Sequence, residues 1–318
     1  MQGTTTALPR VAPSPESVLG TGRGHGGERL IRAALFGAAL MSVLVTVGII
    51  ASLLGETIAF FGDKAVSIGD FLTGSVWSPL FADPKFGVRP LFQGTLVISG
   101  IGLLVAVPLG LGTAVYLSEY ARPRVRAVVK PTLELLAGVP TVVFGYFALT
   151  FFTPKILNGI FGLDVAVFNA LAGGIIVGVM IIPTIASVAE DAMAAVPQSL
   201  REGAFGLGAS RRQVSTRVVF PAALSGVVAS IVLGASRAVG ETMIVLIAAG
   251  QVPNESIDPR NPMETMTAFI GATGKGDVPT GSIGYKSIFA VGFTLFVITL
   301  IINAVAIRLV RRYRQVYE

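Results

Sequence analysis

No cysteine occurs in the 318 residues, so neither a disulfide framework nor a thiolate metal site can form, and the lone His25 cannot build a histidine-based site by itself. Charge is scarce as well. Asp, Glu, Lys and Arg make up 13% of the chain, where a water-facing globular surface normally needs about a quarter. Apolar residues reach 53% and the mean hydropathy is +0.76, so the solvent of most of this chain is lipid. A phosphate-cradling Gly-x-x-x-x-Gly-Lys-Ser/Thr loop is missing; Gly271 to Gly276 comes nearest and lacks the Lys-Ser/Thr end. Nor does any nucleophile–base or metal-ligand constellation stand out, which argues against an enzyme.

What the chain has instead is long apolar stretches. Crossing a hydrocarbon core of roughly 30 Å takes about 20 residues of helix. Stretches of that length recur at 33–54, 91–118, 132–153, 166–189, 220–249 and 287–307. The reading is an all-α membrane protein with six transmembrane helices. Basic residues between spans set the orientation, because cytoplasmic loops carry the excess of Lys and Arg. Segments 1–32, 119–131, 190–219 and 308–318 hold 16 of them, against 7 in 55–90, 154–165 and 250–286. Both termini are therefore expected in the cytoplasm. The net charge of +6 follows from this bias and is spread over separate loops, so it gives no reason to expect a nucleic-acid partner.

Residues 1–32 read as a disordered cytoplasmic leader, rich in Gly, Pro, Ser and Thr at its start. A six-helix permease domain follows over 33–312, with a cytoplasmic tail at 313–318. The first outer loop, 55–90, carries Phe60, Phe61, Phe71, Trp77, Phe81 and Phe86, aromatics suited to the membrane interface or to covering a docking surface. The second, 250–286, contains Pro, Gly, Asn and Asp and reads as turns. Pro108 and Pro140 mark kinks within spans, and Gly174 with Gly178 offers a small-residue packing face.

Within the polar loop 190–219, Ser199 and Glu202 have the spacing of a capping box, Gly208 can take a left-handed helix stop, and Ser210 with Gln213 forms a second box. On these grounds alone the loop could be a connector lying against the bilayer. The segment also resembles the loop shared by permeases of ATP-binding-cassette importers, a Glu-Ala-Ala triplet, then Gly, then Ile-x-Leu-Pro at fixed spacing. Here Glu202, Gly203 and Ala204 are followed in register by Gly208, Val218, Phe220 and Pro221. Gly203, Val218 and Phe220 depart from the pattern in size or shape and leave the glutamate, bend glycine and proline in place. In that family the loop is a coupling helix, which implies a docking role for Ser199, Glu202, Gly203, Ala204, Gly208 and Pro221 toward a separate ATPase. ATP and Mg would then be bound by that partner, with no cofactor on this chain.

Arg237 is the one basic residue inside a span. An arginine at the centre of a spanning helix costs about 2.5–3.5 kcal/mol on insertion scales, so it should face protein or water and have a partner. Glu241 lies four residues on and Thr242 next to it. Two readings fit: a neutralising pair that carries both charges into the membrane, or an anion path in which the planar guanidinium meets an oxyanion. Glu134 near the inner end of the third span either anchors its helix or lines the path.

Ser236 to Met243, reading Ser-Arg-Ala-Val-Gly-Glu-Thr-Met, resembles the signature of phosphate-specific permeases, and Glu134 to Gly145 is similar to their third span. Met243 and the long first outer loop resemble the PstC-type subunit. The likeness covers roughly residues 88–312. It implies the type I ABC importer permease fold, a place in the inner membrane, and a translocation path with Arg237, Glu241 and Thr242. The partners implied are a homologous PstA-type permease, a PstB-type ATPase dimer and a PstS-type phosphate-binding protein. Another oxyanion such as molybdate or sulfate, or an ATP-independent anion carrier, are the alternatives left open.

Overall fold

The computed structural model describes residues 25–275 and 278–313, so the leader before His25, Gly276, Asp277 and the tail from 314 lie outside the described residues. The chain divides into two compact units, residues 1–52 and 53–318. Helix α1, His25–Phe61, runs through the first and ends in the second. His25 to Arg32, read from composition as the end of the leader, are its first turns.

In the second unit α2 (Ile68–Thr73) and a two-stranded antiparallel ladder of β1 (Trp77–Ser78) and β2 (Lys85–Phe86) precede α3 (Arg89–Val115). Then come α4 (Pro123–Ala137), α5 (Thr141–Phe147), α6 (Ala170–Ala194), α7 (Gln198–Gly206), α8 (Arg211–Val214), α9 (Phe220–Ala222), α10 (Leu224–Val239), α11 (Met266–Thr273) and α12 (Ile283–Tyr313). Wide π-type turns extend α3, α5 and α8 and occupy Val245–Ala249 after α10. Among the described residues four helices are long and apolar enough to cross a bilayer unbroken, and two bent pairs bring the number to six when each pair is one span.

The bends correct two of the expected continuous spans. Residues 132–153 are not one helix: α4 and the helix from Thr141 to Ile160 meet at 87°. Gly138 caps α4 and Pro140 caps α5. Proline disfavours helical backbone at the preceding Val139, so the chain turns where a mere kink was expected. Residues 220–249 are broken twice, at 72° between α9 and α10 just after Pro221, and again at Gly240 to Thr242.

Helix α6 lies at the centre, apolar nearly all round and buried along most of its length, as a helix surrounded by others should be. Glycines set how closely its neighbours approach. A Cβ on Gly178 would stand 2.7 Å from Gly102 O, and one on Gly174 2.7 Å from Ile101 Cβ. The small-residue face is thus used against α3, and Gly234 of α10 fits against Ile185 in the same way. Asn169 starts α6: its buried side chain accepts from Ala172 N at 2.7 Å and donates to Ala166 O at 2.9 Å.

Aromatics of 55–90 and the segment 250–286 are both built into the packed structure. Phe60, Phe71, Trp77 and Phe86 are buried in a core of their own with Phe269, in edge-to-face contacts such as Trp77–Phe269 at 4.9 Å; Phe81 stays 74% exposed. Each such pair contributes about 0.5–1.5 kcal/mol beyond its burial. The segment read as turns folds back onto the bundle, with Ala170 N donating to Asn261 O, Met263 N to Ala249 O, and Met266 N to Thr95 Oγ1. Burial of Met263, Met266, Ala268 and Phe269 drives this, an apolar cluster masked by its Pro- and Gly-rich surroundings.

Candidate translocation site and coupling loop

Arg237 lies in the last turn of α10, and Glu241 and Thr242 lie in the break that follows it. Gly240 ends the helix, its N–H reaching back to Ser236 O, and the chain re-enters helical backbone at Met243. Glu241 sits at this restart. Its Oε1 accepts from Met243 N at 3.0 Å and Ile244 N at 3.1 Å, so the carboxylate caps the new helical segment and meets the positive end of its dipole. Thr267, at the start of α11, donates to Glu241 O at 2.6 Å, and Thr242 Oγ1 donates to Gly240 O at 3.3 Å.

Arg237 does not pair with Glu241. Its Nη1 donates to Thr184 Oγ1 of α6 at 3.2 Å, and among the described residues it makes no ion pair. The pairing rested on both residues sharing one continuous helix, and that helix ends between them. Of the two readings, the neutralising pair within this chain is not formed here. One hydroxyl occupies one donor of a five-donor fork, and the others have no protein acceptor among the described residues, in a partly water-accessible place.

Glu134 is elsewhere, exposed on α4, beside Ser118, Arg126 and Lys130 around a pocket of about 470 Å³. Next to it lies a charge cluster the sequence reading missed. Glu190, near the end of α6, is completely buried and held by Arg126 and by Lys130 Nζ at 2.7 Å; Lys130 also reaches Asp191 at 2.6 Å. Two acids at the end of an apolar stretch, and two cations i, i+4 apart in a basic loop, were the available signals. The cluster fastens α4 to α6. Replacing Glu190 by Gln is expected to lower stability by about 2–3 kcal/mol. That is below the cost of breaking a wholly buried pair, because Arg126 and Lys130 keep some access to water. Thermal unfolding in detergent checks this, with Asp191→Asn, more exposed, expected to move the midpoint less.

The loop 190–219 folds as helix, glycine bend, helix. Gly208 has φ +82°, and Ser210 with Gln213 forms the reciprocal box, at 2.8 and 3.4 Å. The first box is not formed: α7 begins at Gln198 with Pro197 as its cap, so Ser199 falls inside the first turn. Arg201 anchors α7 instead, donating to Met193 O and Val196 O and pairing with Glu119 at 3.1 Å. Ser199, Glu202 and Gly203 face solvent, Ala204 packs inward, and Pro221 opens α9. Leu207 at 92% and Phe205 at 46% exposure give the tip of this polar loop an apolar surface.

A helical bundle with a charged side chain at an intramembrane helix break, and a rigid loop presenting apolar side chains at one end, is the build of a membrane transport permease. The chain belongs to the family described as binding-protein-dependent transport system inner membrane component, which matches residues 106–315. It is 35% identical to the probable ABC transporter permease protein YqgH of Bacillus subtilis, over 85% of this chain and 86% of that one. It is 31% identical to the phosphate transport system permease protein PstC of Mesorhizobium japonicum over 96% of both chains. Its fold is that of type I ABC importer permeases. A bacterial ABC transporter that imports the acidic polysaccharide alginate superposes with a TM-score of 0.64 at 18% identity, over 91% of this chain and 99% of that one. The MetNI methionine transporter gives 0.54 at 20% identity, over 72% and 95%.

Proposed function

We propose that this chain is one of two homologous permease subunits of an ATP-driven importer for inorganic phosphate in the inner membrane, with both termini cytoplasmic. The likeness to PstC proteins along nearly the whole chain carries this reading. Arg237, with donors free at the α10 break, supports an anionic solute. A solute-binding protein delivers phosphate to the outer loops, and an ATPase pair carrying ATP and Mg docks at the tip of α7. ATP-driven closure of that pair moves the α7–α9 segment, and because α10 follows α9 after one residue the motion reaches the Arg237 break directly. Arg237 lowers the barrier for a dehydrated anion without holding it tightly, as release requires. Glu241 uses Oε1 to cap the next helix; its other oxygen accepts the hydroxyl proton that hydrogen phosphate offers and sulfate lacks.

Uptake of labelled phosphate into proteoliposomes holding the full assembly, with ATP supplied on the ATPase side, tests the reading. ATP-dependent uptake that excess sulfate and molybdate fail to compete is expected. Uptake without ATP identifies a carrier, and preference for either competitor overturns the phosphate assignment.

A further inference from the structure

Glu264 is an acid that the translocation reading does not use. It is 5% exposed, outside the spanning helices, and it lines an open pocket of about 270 Å³ between residues 77–81 and the segment 251–278. The walls are mostly apolar, with Trp77, Phe81 and Phe269 among them, and Gln251 and Thr273 add polar groups. Its backbone is fixed: Glu264 N donates to Val252 O at 3.1 Å, and Gly94 approaches so closely that a Cβ there would stand 2.3 Å from Glu264 O.

Among the described residues no cation answers it. Lys85 on β2 pairs with Asp83, Arg89 with Glu255 and Arg260 with Asp258, while Lys275 is exposed. Burial alone, with no charged or hydrogen-bonding neighbour contributing, pushes the Glu264 carboxyl up to about 7. It ionises near neutrality and then lacks a partner, which is costly among apolar walls. The walls select what could supply one. A divalent ion wants about six or more oxygen ligands, where these walls hold one carboxylate among rings. An anion would meet a carboxylate with no compensating cation. A positive head on an apolar stem satisfies both parts, the stem along the rings and the head at the carboxylate.

We propose that this pocket, which lies by the start of α3 whereas α7 packs near the end of that helix, receives a single lysine or arginine side chain of the docked solute-binding protein. The inference rests on the import reading for the identity of that protein, whereas its test needs no transport. Trp77 is the only tryptophan in the chain, and it lines the pocket with its buried indole N–H meeting no acceptor among the described residues, so its emission reports a charge brought into the pocket.

The full chain in phospholipid vesicles is titrated at pH 8 with N-acetyl-lysine-N-methylamide, its uncharged norleucine analogue and cadaverine. A saturable change in Trp77 emission with the lysine probe is expected, at least about tenfold tighter than with norleucine. Glu264→Gln weakens it by a similar factor. In the unaltered chain, lowering the pH from 8 to 6 protonates Glu264 and weakens binding without any substitution, so the proposal stays testable if the variant misfolds. No saturable change, an equal response to norleucine, or full binding in Glu264→Gln or at pH 6 would overturn it. Tighter binding of cadaverine than of the blocked lysine would also overturn it, pointing to a small-amine site. Loss of the emission change beside intact phosphate uptake refutes only the pocket; the converse refutes only the transport reading.

Discussion

Arg237→Ala is expected to lower phosphate uptake at least about 100-fold while the assembly with the ATPase stays intact. Removing one partner of a hydrogen-bonded charge contact costs about 2–5 kcal/mol when it is buried, and the partly exposed Arg237 belongs at the low end; about 2.8 kcal/mol is a hundredfold. The side chain's contact is a single hydrogen bond to Thr184 at 3.2 Å, with no structural carboxylate to orphan, so its removal leaves the fold largely undisturbed. That separates this prediction from a folding defect. Arg237→Lys keeps the charge but loses the planar fork, and is expected to recover only a small part of the uptake. Thr184→Ala keeps the guanidinium and loosens its aim, so its effect should be intermediate. Labelled-phosphate uptake, with co-purification of the ATPase as the assembly control, reads all three. Wild-type uptake in Arg237→Ala would remove the guanidinium from the path.

The presence of a charge inside the fifth span was legible because lipid makes such a residue costly, and only one arginine occupied such a place. Its partner was not. Pairing Arg237 with Glu241 assumed an unbroken helix, and Gly240, one of 38 glycines, carries no mark in the sequence to distinguish an end from a packing contact. The structure turns Glu241 from a counter-ion into a helix cap, a role that depends on the orphan N–H groups of Met243 and Ile244 and hence on the break itself.

The same ambiguity hid the bend at Pro140, since intramembrane proline is compatible with a gentle kink or a right-angle turn and neighbouring helices decide which. Six apolar stretches were legible as length and composition. Glu190 and Glu264 were not, because burial of an acid is settled by tertiary contacts. Arg126 and Lys130 lie some sixty residues from Glu190 in the chain. In the segment 250–286, the turn chemistry of the surroundings outweighed the short apolar cluster from Met263 to Phe269, whose burial the fold decides. Gly208 and the Ser210 box, by contrast, were read correctly because both are local. Ser199 failed by two residues of register, the cap falling at Pro197, as helix boundaries set by a preceding proline easily do.

Leu207→Asp combined with Phe205→Ser is expected to uncouple the importer, abolishing both ATPase association and ATP-dependent uptake while leaving the permease folded. Leu207 is 92% exposed and Phe205 46%, so the free subunit loses little packing, and surface changes of this kind usually stay within about 0.5 kcal/mol. In a docked complex the arithmetic reverses. Fully burying one leucine contributes about 1.5–3 kcal/mol, and an aspartate in its place would carry an unpaired charge into the contact. The rest of the loop is stiff enough to transmit force. Arg201 ties α7 to the end of α6 and to Glu119, Gly208 fixes the turn, and the Ser210 box fixes the start of α8. A rigid lever needs a gripping tip, and these two side chains are the apolar surface that the loop presents. Unchanged thermal unfolding of the variant, together with loss of ATPase co-purification, would place the docking contact at Leu207 and Phe205. If the ATPase is retained with full uptake, docking relies on the polar groups around Glu202.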